Sequence, residues 1–159
     1  MKFLRIIALS CIAATFTTDA RKLNQDEENT NDQPASAPVT AIEELGYANW
    51  NDKVLSDSDN VWIVNFDDLS GCWHSKDFKP EFDEVVEDSR MQEKNIRFGH
   101  VDLKTEAYRT YLEGVRQTPT VLVYGLDKSQ APVQYTGENE VDELLNFIME
   151  YCDSHNGCI

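Results

Sequence analysis

The chain has few positive charges for its size. Its 159 residues include 14 lysines and arginines against 29 aspartates and glutamates, which gives a formal net charge of −15. An acidic surface repels phosphate groups, so this charge argues against a nucleic acid or an anionic membrane as partner. Apolar residues make up 41% of the chain, which is enough for a hydrophobic core and excludes a wholly disordered protein.

The sequence also lacks a hydrophobic run long enough to cross a bilayer. An apolar stretch from Ile6 to Phe16 follows Lys2 and Arg5, and it is shorter than the about 20 residues that a membrane-spanning helix needs. The small-residue pattern from Thr18 to Ala20 then suits cleavage by a signal peptidase. We therefore predict a secretory signal peptide at residues 1–20 and no membrane span after its removal.

Beyond the signal, the chain divides into a tether, a folded part and a tail. Residues 21–37 contain almost no large apolar side chains and are predicted to form a disordered acidic linker. Hydrophobic segments with strand and helix periodicity then alternate from 38 to 153, and residues 154–159 are a C-terminal tail.

The periodicity of the folded part predicts an α/β domain with a central mixed sheet flanked by helices. The predicted elements are a strand at 39–42, a helix at 47–55, a strand at 61–66, a helix from about 72, a strand at 96–103, a helix at 106–113, strands at 120–124 and 133–136, and a helix at 141–152. Their order is β-α-β-α-β-α-β-β-α.

Cysteine is scarce, and its number is informative. Cleavage of the signal would remove Cys11 and leave Cys72, Cys152 and Cys158. In an oxidising compartment an odd number leaves one thiol free or available for an intermolecular bond. Cysteine, histidine and aspartate are too scattered for a zinc site, and we expect neither a metal nor another cofactor.

Four local sequences stand in a fixed order along the folded part. They are Trp62 to Phe66, Cys72 to Phe82, Val101-Asp102 with the final helix, and Gly114 to Thr120. The second is similar to the Cys-Gly-His-Cys-Lys motif of the protein disulfide isomerases with its downstream Pro-Glu-Phe, and the last to the segment that holds their cis-proline. Together they resemble the thioredoxin family, and more specifically a domain of the protein disulfide isomerases, which implies a thioredoxin fold.

The chain departs from that family pattern around its motif. Ser75 stands where the family has its second cysteine, Asn65 where it has a buried acid, and Gly71 where it has a tryptophan. The stretch from Phe66 to Cys72 is one residue longer than usual. Because serine forms no disulfide, net oxidation or reduction through an internal disulfide is unavailable, whereas attack by one thiolate and release by another thiol are not.

The resemblance implies a catalytic group of Cys72, His74 and Ser75. Cys72 would begin a helix, where unpaired N–H groups and the helix dipole favour the thiolate. His74 would tune the thiol or simply be solvated, and Ser75 would be a non-resolving partner. A buried, inert Cys72 is the alternative, but its neighbours are polar.

The resemblance also implies a surface that binds substrate. Pro119 would be cis and would place the backbone of Thr118 beside Cys72, where it can pair with an extended peptide. Trp73, inside the motif, is a further candidate for substrate contact.

Cys152 and Cys158 admit three arrangements. They could bond to each other, both be free, or one could resolve a disulfide at Cys72. The last helix carries Cys152 roughly 18 Å from the active-site end, beyond the about 7 Å between Cα atoms that a disulfide allows. Cys158 lies on the tail and could reach Cys72, but a local structural Cys152–Cys158 disulfide is favoured, with Cys72 as the free thiol.

Two functions of different classes follow from these residues. The first is thiol–disulfide exchange on folding proteins of the secretory pathway, in the endoplasmic reticulum lumen or after secretion, with Cys72 forming mixed disulfides with cysteine-containing clients. Such a protein would be isomerase-like rather than a net oxidase or reductase. The second is a redox-inactive chaperone or adaptor that binds peptides in the same groove. An exposed Cys72 also permits a disulfide-linked dimer, and no glutathione-site signature stands out.

Overall fold

A computed structural model describes residues 41–92, 94–155 and 158. The predicted signal peptide and linker therefore lie outside the described residues, as do positions 39 and 40 of the predicted first strand. No helix of the described part is long and apolar enough to cross a membrane.

A mixed sheet of five strands forms the centre of the described residues. The strands are β1 (Ile42–Glu44), β2 (Val61–Asp67), β3 (Ile96–Asp102), β4 (Thr120–Tyr124) and β5 (Val133–Gln134). Their spatial order is β1-β3-β2-β4-β5. Strands β1 and β2 run parallel to β3, β4 runs antiparallel to β2, and β5 antiparallel to β4. The end of β2 therefore lies beside the start of β4.

Helices cover both faces of this sheet. They are α1 (Trp73–Glu87), α2 (Ser89–Gln92), α3 (Ala107–Leu112) and α4 (Val141–His155), and a short π-helical segment spans Asn51–Leu55. Helices α1 and α4 pack on one face through a buried apolar cluster that includes Phe78, Ile148 and Ile63. Trp50 packs on the other face against Trp62 and Phe66.

Strand β2 is buried along its whole length because both of its faces are covered. Successive side chains of a strand point to opposite faces, so Ile63 joins the cluster under α1 and α4 while Trp62 joins the other. Asn65 and Asp67 share the face of Ile63, and they bring polar groups to the end of β2 at which α1 begins.

The observed order agrees with the predicted one. Several elements begin or end one to three residues from their predicted bounds, as when α4 continues to His155, and three further differences are local. The described first strand is Ile42–Glu44 rather than 39–42. The predicted helix at 47–55 is a turn followed by the π-helical segment, since the Asn49 side chain binds the N–H of Gly46 and the carbonyl of Glu44 at 2.9 Å each. Helix α2 was not predicted: Asp88 ends α1 in an extended conformation, and its carboxylate accepts the N–H of Arg90 at 2.8 Å.

Candidate functional site

Cys72 lies at the junction of strand β2 with helix α1. It is the N-cap residue of α1 with an extended backbone (φ −105°, ψ 119°). The sulfur therefore shares this end of the helix with backbone N–H groups that have no partner within the helix. Among the described cysteines Cys72 alone is outside a disulfide, and it is partly exposed.

Hydrogen bonding to the sulfur favours the thiolate. The backbone N–H of Ser75, then the side chains of Thr118 and Ser75, and finally His74 lower the pKa of the Cys72 thiol to about 6. Desolvation opposes this shift. The Thr118 carbonyl oxygen also opposes it, because it lies 3.5 Å from the sulfur and accepts a hydrogen bond only from the thiol. The donors prevail, so the thiolate is favoured over the thiol near neutral pH.

The Thr118–Pro119 peptide bond is cis, as the resemblance implied. It directly precedes β4 and presents the Thr118 carbonyl to the Cys72 sulfur. Thr118 and Pro119 also line an open groove of about 550 Å³, and His74, Phe78, Gln134 and Tyr135 are further parts of its wall. The groove begins beside the thiol and has room for several side chains of a peptide.

Ser75 is the third residue of α1 and is completely buried. Its Oγ accepts the backbone N–H of Asp68 at 3.2 Å. Because the oxygen accepts from Asp68, the hydroxyl proton is free to be donated to Cys72. The structure thus brings Ser75 to Cys72 as a hydrogen-bonding group.

Trp73 and His74 occupy the exposed first turn of α1. Their rings stack with centroids 3.7 Å apart, and 66% of Trp73 is exposed. His74 lines the groove, whereas Trp73 lies outside its wall. The structure therefore brings Cys72, His74 and Ser75 together, while contact between Trp73 and a substrate stays a prediction.

A buried ion pair lies at the same end of the sheet, and the sequence analysis missed it. Asp67 is only 1% exposed, and its carboxylate contacts Nε2 of His100 at 2.8 Å and accepts Nδ2 of Asn65 at 3.0 Å. Glu44 contacts the other ring nitrogen of His100 at 2.8 Å. Hydrogen bonding to Asp67, followed by that to Glu44, raises the pKa of His100 to about 9 although burial opposes it. Position 65 is an asparagine, but Asp67 supplies a buried carboxylate on the same face of the sheet.

The two remaining described cysteines are bonded to each other. Cys152 and Cys158 form a disulfide with Cα atoms 4.9 Å apart. Cys152 lies on α4 in the cluster between α1 and the sheet. The bond leaves neither sulfur available to resolve a disulfide formed at Cys72.

The turn at Asp68, whose carboxylate accepts three hydrogen bonds from Ser70 and Gly71, was not predicted from the sequence. The signal was present, because an aspartate followed two and three positions later by serine and glycine is typical of a turn that an aspartate side chain closes. The burial of Asp67 had a weaker signal, since it required β2 to extend one residue beyond its last apolar residue.

Relatives of the chain are found among the protein disulfide isomerases. Two from Arabidopsis thaliana are protein disulfide-isomerase like 2-2, 29% identical over 128 residues, and protein disulfide-isomerase 2-3, 32% identical over 122 residues. The matches cover 80% and 77% of this chain but only 27% and 26% of the relatives. The chain thus spans about a quarter of the length of these proteins.

Solved structures agree with the predicted thioredoxin fold. The J-Trx1 fragment of ERdj5 has a TM-score of 0.58 and 25% identity, over 69% of this chain and 49% of that one. Residues 41–150 also match the thioredoxin family as a whole. This match covers more than half of the sequence and includes the sheet, Cys72 and the cis Thr118–Pro119 bond, and we conclude that the chain belongs to the thioredoxin family.

Proposed function

We propose that the protein carries out thiol–disulfide exchange on folding proteins of the secretory pathway, through Cys72 as its single nucleophile. The observation that carries this proposal is the position of the Cys72 sulfur, at the start of α1 and 3.5 Å from the carbonyl of Thr118. The start of a helix favours the attacking thiolate. The Thr118 carbonyl lies beside a groove that has room for a peptide. The names of the relatives support the same type of reaction.

The exchange needs no external oxidant. The Cys72 thiolate attacks one sulfur of a client disulfide, a new sulfur–sulfur bond forms, and the other client sulfur leaves as a thiolate. That thiolate can attack a second disulfide of the client. A client thiolate then attacks the client sulfur bound to Cys72, which forms the rearranged disulfide and releases the Cys72 thiolate. One disulfide is consumed and one is formed, so the cycle isomerises without net oxidation.

Ser75 determines how long the mixed disulfide persists. In a two-cysteine site the second thiol cleaves a stalled mixed disulfide from within the protein. Ser75 has no sulfur, and Cys152 and Cys158 are bonded to each other. Release then depends on a thiol from the client or from a third molecule. The protein would therefore hold its clients longer than a two-cysteine site does.

The proposed compartment follows from two features. The predicted signal at residues 1–20 directs the chain to the secretory pathway, where the linker at 21–37 would precede the thioredoxin domain at 38–153 and the tail at 154–159. The Cys152–Cys158 bond suits an oxidising lumen, since structural disulfides are rare in the cytosol.

A trapping experiment tests the proposal. The full chain is expressed in secreting cells, which are quenched with acid and alkylated, and mixed disulfides are resolved on non-reducing gels. Wild type should give adducts that disappear on reduction, and Cys72→Ser should give none. The matched control is Ser129→Ala, which alters an exposed serine outside the loop that leads to Cys72 and keeps the thiol. Identical lanes for wild type and Cys72→Ser would overturn the proposal.

The groove supports a second candidate, a chaperone or adaptor that binds peptides without redox chemistry. Its volume of about 550 Å³ beside Thr118 and Pro119 does not depend on the sulfur. In that case Cys72→Ser would bind unfolded peptides as tightly as wild type, and the trapping gel would show no adducts. Fluorescence titration of a labelled peptide against both proteins distinguishes the two functions.

A further inference from the structure

The segment between β2 and α1 is closed around the side chain of Asp68. Its Oδ1 accepts the backbone N–H of Ser70 at 3.0 Å, the hydroxyl of Ser70 at 2.8 Å and the N–H of Gly71 at 2.7 Å. Its own carbonyl accepts the N–H of Cys72 at 2.9 Å. Asp68 thus accepts hydrogen bonds from each of the three residues from Ser70 to Cys72.

Gly71 is fitted to this arrangement. A Cβ atom at position 71 would lie 2.5 Å from Oδ2 of Asp68, closer than such contacts occur in proteins. Only glycine lets the carboxylate approach the backbone this closely without a shift. The glycine and the aspartate therefore fit each other within the lengthened loop.

Asp68 is also connected to the thiol from the other side. Its backbone N–H donates to Oγ of Ser75 at 3.2 Å. This bond turns the lone pairs of the hydroxyl toward the loop and leaves its proton for the Cys72 sulfur. The conformation of Asp68 thus affects both the position of the sulfur and the direction of one of its donors.

We propose that Asp68 is a positioning residue for Cys72, whose carboxylate holds the loop so that the sulfur meets its donors at the start of α1. The inference rests on the proposed function of Cys72 as nucleophile. The charge of Asp68 acts in the opposite sense, because a nearby negative charge disfavours a thiolate. Positioning and charge therefore predict opposite effects when the carboxylate is removed.

The two effects can be separated because all three loop hydrogen bonds end on Oδ1. Asp68→Asn keeps an oxygen at that position and removes the charge, whereas Asp68→Ala removes both. If positioning dominates, Asp68→Ala raises the pKa of the Cys72 thiol, whereas Asp68→Asn leaves that pKa at the wild-type value or lowers it slightly. If charge dominates, both variants move it downward.

Asp127 supplies a matched control. Its Oδ1 accepts the N–H and the hydroxyl of Ser129, which is the same type of turn. Asp127 lines a pocket together with Val61, the first residue of β2. Asp68 lies at the opposite end, directly after the last residue of β2. The seven residues of β2 separate the two turns by about 20 Å. Asp127→Ala should leave the thiol unchanged.

The test is the rate of alkylation of Cys72 by iodoacetamide from pH 4 to 9, on the full chain with its disulfide intact. Asp68→Ala should raise the midpoint by at least about one pH unit and slow the reaction at pH 6.5 about threefold, while Asp68→Asn and Asp127→Ala follow wild type. Thermal unfolding of each variant identifies any loss of fold, which asparagine should avoid. A wild-type profile or a downward shift for Asp68→Ala, or an equal upward shift for Asp68→Asn, would overturn the proposal.

Failure of the proposed function gives a different result. Alkylation by a small reagent needs no client, so it reports on Asp68 even when no mixed disulfides form in cells. Missing client adducts with a midpoint that depends on Asp68 would refute the exchange on clients and keep the positioning role.

Discussion

Nε2 of His100 lies 2.8 Å from Oδ1 of Asp67, a carboxylate that is almost completely buried at the end of β2. The pair joins two neighbouring parallel strands, and Glu44 extends it to a third strand. Its strength depends on the charge of the imidazole, which makes the stability of the sheet sensitive to pH.

The first prediction concerns this ion pair. The pKa of His100 is raised to about 9 in the folded protein, against an ordinary value of 6.5. The stabilisation is therefore complete below pH 6.5, decreases as the pH rises and is lost above pH 9. Urea unfolding of His100→Gln at pH 6 should show a loss of about 2 kcal/mol, and the difference from wild type should shrink by pH 9.5. His155→Gln, at an exposed helix end, is the control, and a difference that is constant with pH would contradict the account.

A second prediction concerns the donors to the thiolate. The pKa of Cys72 is lowered to about 6, so alkylation of the wild type should rise to a plateau with a midpoint near pH 6. Thr118→Val removes a hydroxyl and keeps the carbonyl, and it should raise the midpoint by about one unit. The midpoint should still lie below the ordinary thiol value, because the N–H of Ser75, which contributes most, is backbone. An unchanged profile would exclude the Thr118 hydroxyl as a donor.

The third prediction concerns the disulfide at the end of α4. Cys152 and Cys158 are six positions apart. A disulfide that closes so short a loop lowers the entropy of the unfolded chain, which stabilises the folded state by about 2 kcal/mol. Cys158→Ser should therefore lower the free energy of unfolding by about that amount in urea and leave the alkylation rate of Cys72 unchanged. A change in the alkylation rate of Cys72 would contradict this prediction, because it would mean that the disulfide at the end of α4 affects the thiol at the start of α1.

Periodicity alone predicts most of the sheet and its covering helices. Strand β2 reads as a continuous apolar run because both of its faces are covered, and α4 reads as an amphipathic helix because only one side meets the core. The segment before β2 was mistaken for a regular helix. Its turn is fixed by the Asn49 side chain, whose contacts depend on tertiary placement and leave no periodic pattern.

The site is predictable where a local motif carries it and not where side chains meet across the fold. Cys72 and Ser75 are expected from the resemblance of one local motif, Cys72 to Phe82, to the family pattern. The pairing of Asp67 with His100 spans 33 positions of sequence, and it depends on strand register, which local patterns do not specify. Asp68 is the intermediate case, because its turn is local but its contact with Ser75 requires the folded junction.

The central claim is that Cys72 is a nucleophile whose mixed disulfide has no resolving thiol among the described residues. The most direct test incubates purified protein with an excess of a peptide dimer joined by one intermolecular disulfide, so that the leaving thiol departs with the other peptide, and follows the intact mass over time, with Ser75→Cys in parallel. We predict that wild type gains a peptide adduct on Cys72 that persists until a second thiol is added. Ser75→Cys should show only a transient adduct that gives way to an internal disulfide. An alkylatable Cys72 that forms no adduct in either protein would contradict the account and leave peptide binding as the function of the groove.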